Sequence, residues 1–223
     1  MMRAILFDCD GVIADSEPSW NEIDREHLQF FGVPDYRGEY KAEVLGKSLW
    51  LSDELYREKF GLAHVSVEEM VAKRVEVAQR FYATTIPLFE GVAPVLREIK
   101  ARNLKTALAT SSVSSFIVPF LARHEIGQFF DAVVTGEMVK NGKPNPDIYL
   151  LAAQKVGVSP ENCLVVEDAI SGLQAGRSAG CATVAIPDPR WLDPQVFEGK
   201  SDHTIAKISE LPALVAQLCG EKK

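Results

Sequence analysis

The chain is poor in residues that could build a sulfur or imidazole metal centre. Its four cysteines, Cys9, Cys163, Cys181 and Cys219, form neither a CxxC pair nor a Cys/His spacing suited to zinc. Cys9, Cys163 and Cys181 lie in or beside apolar, strand-like runs, where cysteine behaves as a small hydrophobe. Reduced structural thiols in a cytoplasmic protein are therefore expected. The histidines, His27, His64, His124 and His203, stand away from every motif found below and receive no role. Excess positive charge is missing too. With 31 acidic against 24 basic residues the net charge is −7, which argues against general electrostatic capture of nucleic acid or of an anionic membrane. No apolar stretch approaches the ~20 residues of a membrane-spanning helix. The four-residue apolar run between Arg3 and Asp8 is too short for a signal peptide. Internal repeats and low-complexity runs are absent as well.

What remains is an ordinary globular composition. At 223 residues, 47% hydrophobic and 25% charged, the chain can bury a full core and carry a sizeable insertion besides. Short apolar runs at 3–8, 104–109, 132–135, 163–167 and 182–186 alternate with amphipathic segments near 91–102, 113–125, 146–157 and 170–180. That alternation predicts βαβ units around a doubly wound parallel sheet with helices on both faces, an α/β fold. Right-handed crossovers then gather the carboxyl ends of the strands on one edge. Residues 17–86 break the pattern. They contain no convincing strand, only helical periodicity over 19–31, 48–60 and 66–83. The expected organisation is an α/β core of residues 1–16 and 87–223, with a helical cap domain of residues 17–86 inserted after the first strand. A domain tethered by two linkers beside a site can open and close over it.

Four strand ends carry chemically suggestive residues. The first is Asp8-Cys9-Asp10-Gly11, where two crowded carboxylates would repel each other and any anionic ligand unless a cation joined them. Next comes Thr110-Ser111-Ser112, whose hydroxyls and amides at a strand-to-helix turn suit an anion. The third, Lys143-Pro144-Asn145-Pro146-Asp147, holds a lysine between stiffening prolines as a point charge suited to phosphate. The fourth is Glu167-Asp168, two acids at the tip of a wholly apolar strand. Each has an ordinary reading by itself: an Asp-Gly turn, a Ser/Thr helix cap, an exposed loop lysine, an Asp168 N-cap. Together they supply Asp8, Asp10, Asp168 and Glu167 for a metal, with Lys143 and Thr110 for an anion. An oxygen-only ligand set fits Mg2+ best.

The order DxDGVxxDSE, an apolar strand ending in Thr-Ser, GKPNPDIY and VVEDAxxG resembles the haloacid dehalogenase-like hydrolase superfamily over essentially the whole chain. The helical insertion after the first motif is similar to that of the subgroup holding sugar-phosphate phosphatases, phosphoglycolate phosphatases and β-phosphoglucomutases. The resemblance implies that Asp8 is the nucleophile, forming an aspartyl-phosphate, and a magnesium ligand. It implies that Asp10 is general acid and then base, and lends its carbonyl to the metal. Thr110, with the amides of Ser111 and its neighbour, would hold the phosphoryl group, and Lys143 would neutralise charge between Asp8 and phosphate. Asp168 would complete the metal site, with Glu167 behind it or in its place.

Within the subgroup, the mutases usually carry a histidine where this chain has Trp20, and DSEP-x-W is more like the sugar-phosphate phosphatases. The resemblance thus implies a magnesium-dependent phosphohydrolase acting on a small phosphorylated metabolite, with a phosphomutase as the alternative. A non-catalytic phosphate-binding protein is a more distant one. Asp10 argues against dehalogenation. Trp20, Gly46, Lys47, Lys73 and Arg74 are the expected specificity residues of the cap, against the ordinary reading of solvated charges. Gly172, Gly176 and Gly180, spaced by four, suggest close packing of a helix on the sheet. A monomer or weak dimer is expected, with a small phosphorylated substrate as partner and neither nucleic acid nor membrane.

Overall fold

β1 (Ala4–Phe7) is buried at every position, which is what an uninterrupted apolar run requires when both faces of a sheet are covered. A computed structural model describes residues 2–44 and 49–220. It divides into two compact units, Met1–Asp15 with Pro87–Lys223, and Ser16–Ile86.

In the first unit, β1 is followed after the insertion by α5 (Val92–Ala101), β2 (Lys105–Ala109), α6 (Ser114–Arg123), β3 (Ala132–Val134), α7 (Asp147–Val156) and β4 (Cys163–Glu167). Then come α8 (Ile170–Ser178), β5 (Ala182–Ala185), β6 (His203–Thr204) and α9 (Leu211–Leu218). Among the described residues the sheet runs β3-β2-β1-β4-β5-β6, parallel throughout. β1 is central, so the chain winds outward in opposite directions from β1 and β4. That reversal opens a crevice at their carboxyl ends, where open α/β sheets bind ligands. The register places Phe7 beside Leu108 on one side and Val166 on the other. The residues that follow these three are thereby brought level with one another.

β6 and α9 were not anticipated. β6 has only two residues, too few for any periodic signal, and α9 carries Pro212 in its first turn. Both ends of the insertion are stitched together within the first unit. Asp15 donates its N–H to Pro87 O at 3.0 Å, and Ala14 bridges Leu88 in antiparallel fashion.

The second unit holds α1 (Glu17–Phe30), α2 (Lys41–Val44), α3 (Leu49–Lys59) and α4 (Val67–Thr84). α1 carries Pro18 in its first turn, where the missing N–H is no loss. α4 begins with a capping box in which Ser66 Oγ accepts from Glu69 N at 3.2 Å while Glu69 Oε2 accepts from Ser66 N at 3.0 Å. Leu28, Tyr56, Leu62 and Met70 fill the space between these helices. Polar groups are buried there too. Arg74 of α4 pairs with Asp24 of α1 and lies 3.4 Å from Asp53 of α3, and Tyr56 donates to Asp24 at 2.8 Å. His27 Nε2 lies 3.7 Å from Asp53, but burial, with Arg74 nearby, pushes the imidazole down to about 3, so at neutral pH this is no ion pair.

Candidate active site

Asp8 leaves the end of β1 with its N–H donated to Val166 O of β4 at 2.9 Å, so its backbone continues the sheet before the chain turns. Gly11 makes that turn at φ +79°, a left-handed conformation that glycine adopts freely. The missing side chain matters as much as the angle. A Cβ on Gly11 would lie 1.9 Å from Oδ2 of Asp168, which occupies the space instead.

Glu167 is the last residue of β4 and is fully buried. It receives hydrogen bonds from Lys143 Nζ at 2.6 Å, Tyr149 OH at 2.6 Å and Ala169 N at 3.2 Å. Gly172, one turn into α8, leaves room for it, because a Cβ there would stand 1.7 Å from Glu167 Oε1. Asp168 does not cap α8, whose N-cap is Ala169 with no side-chain hydrogen bond.

Lys143 is not an exposed loop lysine. Its side chain is 7% exposed, and Nζ bonds Asp8 Oδ1 at 2.7 Å, Glu167 Oε1 at 2.6 Å and Ala109 O at 3.3 Å. Burial alone would lower its pKa, but the carboxylates of Asp8 and Glu167 outweigh that and hold it above the usual lysine range. One cation therefore bridges the ends of three strands.

Thr110, at the tip of β2, is buried and donates its N–H to Val134 O at 3.0 Å. Its Oγ1 accepts from Ser112 N at 3.0 Å in a local turn, but it does not cap α6, whose N-cap is Val113 with no side-chain hydrogen bond. Ser111 is exposed. Ser112, expected with Thr110 and Ser111 to suit an anion, has its N–H on Thr110 Oγ1 and donates from its hydroxyl to Asp10 Oδ2 at 2.8 Å.

One lysine does not balance this many acids. Oxygens of Asp8, Glu167 and Asp168 lie within 4.8 Å of one another. Burial first, then Glu167 and Asp10, raise Asp8 to about 7 against the pull of Lys143. Burial, with Glu167 and Asp8 behind it, holds Asp168 well above the usual carboxylate range. Without added positive charge the cluster would take up protons. A hard divalent cation fits this oxygen-only donor set and would keep it ionised.

Other expected residues fall elsewhere. Gly46 and Lys47 lie outside the described residues. Arg74 corrects the sequence expectation: its side chain is 4% exposed and its guanidinium is engaged by Asp24 and Asp53 inside the helical unit, so it is a structural cation. Trp20 stacks near it, 5.6 Å from ring to guanidinium. Lys73 is partly exposed, 2.8 Å from Glu76 and over the Phe30 ring. Gly176 packs on the sheet as expected, with Val165 and Thr183 3.1 Å from a would-be Cβ. Gly180 does not; it has open space and a φ of +84° just past the end of α8.

Tyr149, Gly11 and Gly172 were missed as supports of the acids. Tyr149 lies within the third motif, but only the fold brings its hydroxyl to β4. Arg190 was missed too. It binds Asp15 at 2.8 and 3.1 Å and Asp188 at 2.6 Å, with Phe89 beneath its guanidinium, and so braces both ends of the insertion.

A sequence model described as haloacid dehalogenase-like hydrolase matches residues 2–180. A phosphorylated carbohydrates phosphatase of Thermotoga maritima is 34% identical over 193 residues, covering 80% of this chain and 82% of that protein. A fructose-1-phosphate phosphatase of Escherichia coli is 31% identical over 185 residues, 82% of this chain and 95% of that one. A crystal structure from Thermotoga maritima, provisionally named a β-phosphoglucomutase, superimposes with a TM-score of 0.82 at 29% identity, over 97% of this chain and 100% of the other.

Proposed function

The chain belongs to the haloacid dehalogenase-like hydrolase family, and we propose that it removes phosphate from a small phosphorylated metabolite, a sugar phosphate, through an aspartyl-phosphate on Asp8. The observation that carries this reading is the Asp8–Lys143–Glu167 bridge beside Asp168, a buried acidic site with a single fixed ammonium. Such a site suits phosphoryl transfer, which is mainly positioning and charge stabilisation.

In the first step an Asp8 carboxylate oxygen attacks phosphorus while the bond from phosphorus to the ester oxygen breaks. Asp10 gives that oxygen its proton, so the alcohol leaves neutral. In the second step a water attacks the acyl phosphate and gives its proton to Asp10. The bonding pair of the Asp8–phosphorus bond returns to Asp8, and inorganic phosphate departs. Lys143 keeps the Asp8 oxygen oriented and offsets negative charge as the two anions approach. Asp8, Asp168 and Glu167, with the backbone carbonyl of Asp10, are the groups that would hold Mg2+. When bound, that ion supplies the remaining positive charge for the cluster and for the phosphoryl oxygens. Thr110 and the amide of Ser111 are assigned to the phosphoryl group. The choice of substrate is assigned to the helical unit, with Trp20 and Lys73 as its candidate residues.

Phosphate release from a panel of sugar phosphates and other phosphomonoesters with magnesium tests the reading. Release is expected from at least one class of ester and should vanish in Asp8→Asn. A panel that yields no phosphate overturns it. Conversion of a sugar 1-phosphate that depends on a bisphosphate primer would assign the chain to the phosphomutases instead.

A further inference from the structure

Asp10 and Ser112 come from different loops, 102 residues apart in sequence, and meet at 2.8 Å through Asp10 Oδ2 and the Ser112 hydroxyl. Both backbones are held. Gly11 donates its N–H to Ala14 O at 3.0 Å, and Asp10 is bridged to Ala14, so the turn bearing Asp10 is closed on itself. Ser112 gives its N–H to Thr110 Oγ1 and accepts Gly136 N–H at its carbonyl, each at 3.0 Å. Gly136 is a close fit, because a Cβ there would lie 2.3 Å from Ser111 O. The serine hydroxyl is thus delivered by a rigid loop to a carboxylate on another rigid loop.

A carboxyl group's last torsion is soft, with a broad range of rotation. A proton donor that swings loses alignment with the departing oxygen, and proton transfer depends on that alignment. We infer that Ser112 is a positioning residue for Asp10, fixing the plane of its carboxyl group so that the proton reaches the ester oxygen as the bond to phosphorus breaks. The inference rests on the phosphatase reading above and adds a residue to it. Ser112 transfers no proton. Its hydroxyl donates to Oδ2 whether Asp10 is carboxylic acid or carboxylate, and the proton that leaves is the one carried by Asp10.

Leaving groups separate this role from a merely structural one. An alkyl phosphate must have its leaving oxygen protonated, whereas p-nitrophenolate leaves well without a proton. In kcat/KM, which reports transfer to Asp8, Ser112→Ala should lose ten-fold or more on a sugar phosphate and less than three-fold on p-nitrophenyl phosphate. Placed on Asp10→Asn, the same substitution should add no further loss on p-nitrophenyl phosphate. Equal losses on both esters, no loss on either, or losses that multiply in the double variant would overturn the inference while leaving the phosphatase reading intact. A wild-type protein inert toward the whole panel of phosphomonoesters would remove that reading, and the role of Ser112 with it.

Discussion

Asp168 occupies the space that a side chain on Gly11 would fill, its Oδ2 standing 1.9 Å from where a Cβ would be. Gly11→Ala should therefore act on Asp168 as well as on the turn, which is at φ +79° and costly for alanine. Activity is expected to fall a hundred-fold or more and magnesium affinity to weaken, with the far-UV circular dichroism unchanged. Activity within a few-fold of wild type would remove Asp168 from the site.

Lys143→Met should destabilise the metal-free protein, because Asp8 and Glu167 lose the buried ammonium that both contact. Removing one partner of a buried ion pair costs about 3–5 kcal/mol. Magnesium should restore part of the loss by supplying positive charge to the same carboxylates. Thermal unfolding with chelator and with magnesium checks both statements. An unchanged midpoint in chelator would contradict the burial and pairing described for Lys143.

Asp53 gives the helical unit a pH dependence that opposes the usual behaviour of a carboxylate. Burial, augmented by Asp24 and opposed by Arg74, raises it from 3.8 to about 7. The folded chain therefore binds this proton more tightly than the unfolded one. The resulting stability is complete below about pH 4 and is lost as the pH rises through about 7. His27, lowered from 6.5 to about 3, has the opposite sign: its contribution is complete above 6.5 and is lost as the pH falls toward 3. Comparing wild type with Asp53→Asn cancels the histidine. The stability of the variant relative to wild type should rise with pH between 5 and 6.5 by about 1.4 kcal/mol per unit. A difference flat across that interval would show that Asp53 is ionised throughout.

The strands that build the site were legible because buried parallel strands are short and mostly apolar. β1, β2 and β4 each end where a run meets a polar residue, and there the acids and Thr110 sit. Burial was less legible. Lys73 and Arg74 are adjacent basic residues on one helix with the same expected role. They are separated by Asp24 and Asp53, which lie 50 and 21 positions away and draw only Arg74 inside. Ser112 and Ser111 are equally hydroxylated neighbours, yet only the fold turns one of them toward Asp10. Gly172 and Gly176 share a spacing but not a reason, since one clears a carboxylate and the other a sheet. Motifs announce the residues that react. Those that hold them still are chosen by proximity across long stretches of chain.

The bond from Asp15 N to Pro87 O, with the Ala14–Leu88 bridge, makes the insertion a parenthesis in the chain. The core closes on either side of it as though the 71 intervening residues of Ser16–Ile86 were a tight turn. Doubling the length of a flexible loop costs only about 0.6 kcal/mol in closure entropy, and a loop that folds with its ends together costs less than its length suggests. The text inside the brackets can therefore be rewritten, lengthened or replaced without shifting the register of β1 against β2 and β4. Under the proposed function, reaction chemistry and substrate choice are then editable separately, with this junction as the boundary between them.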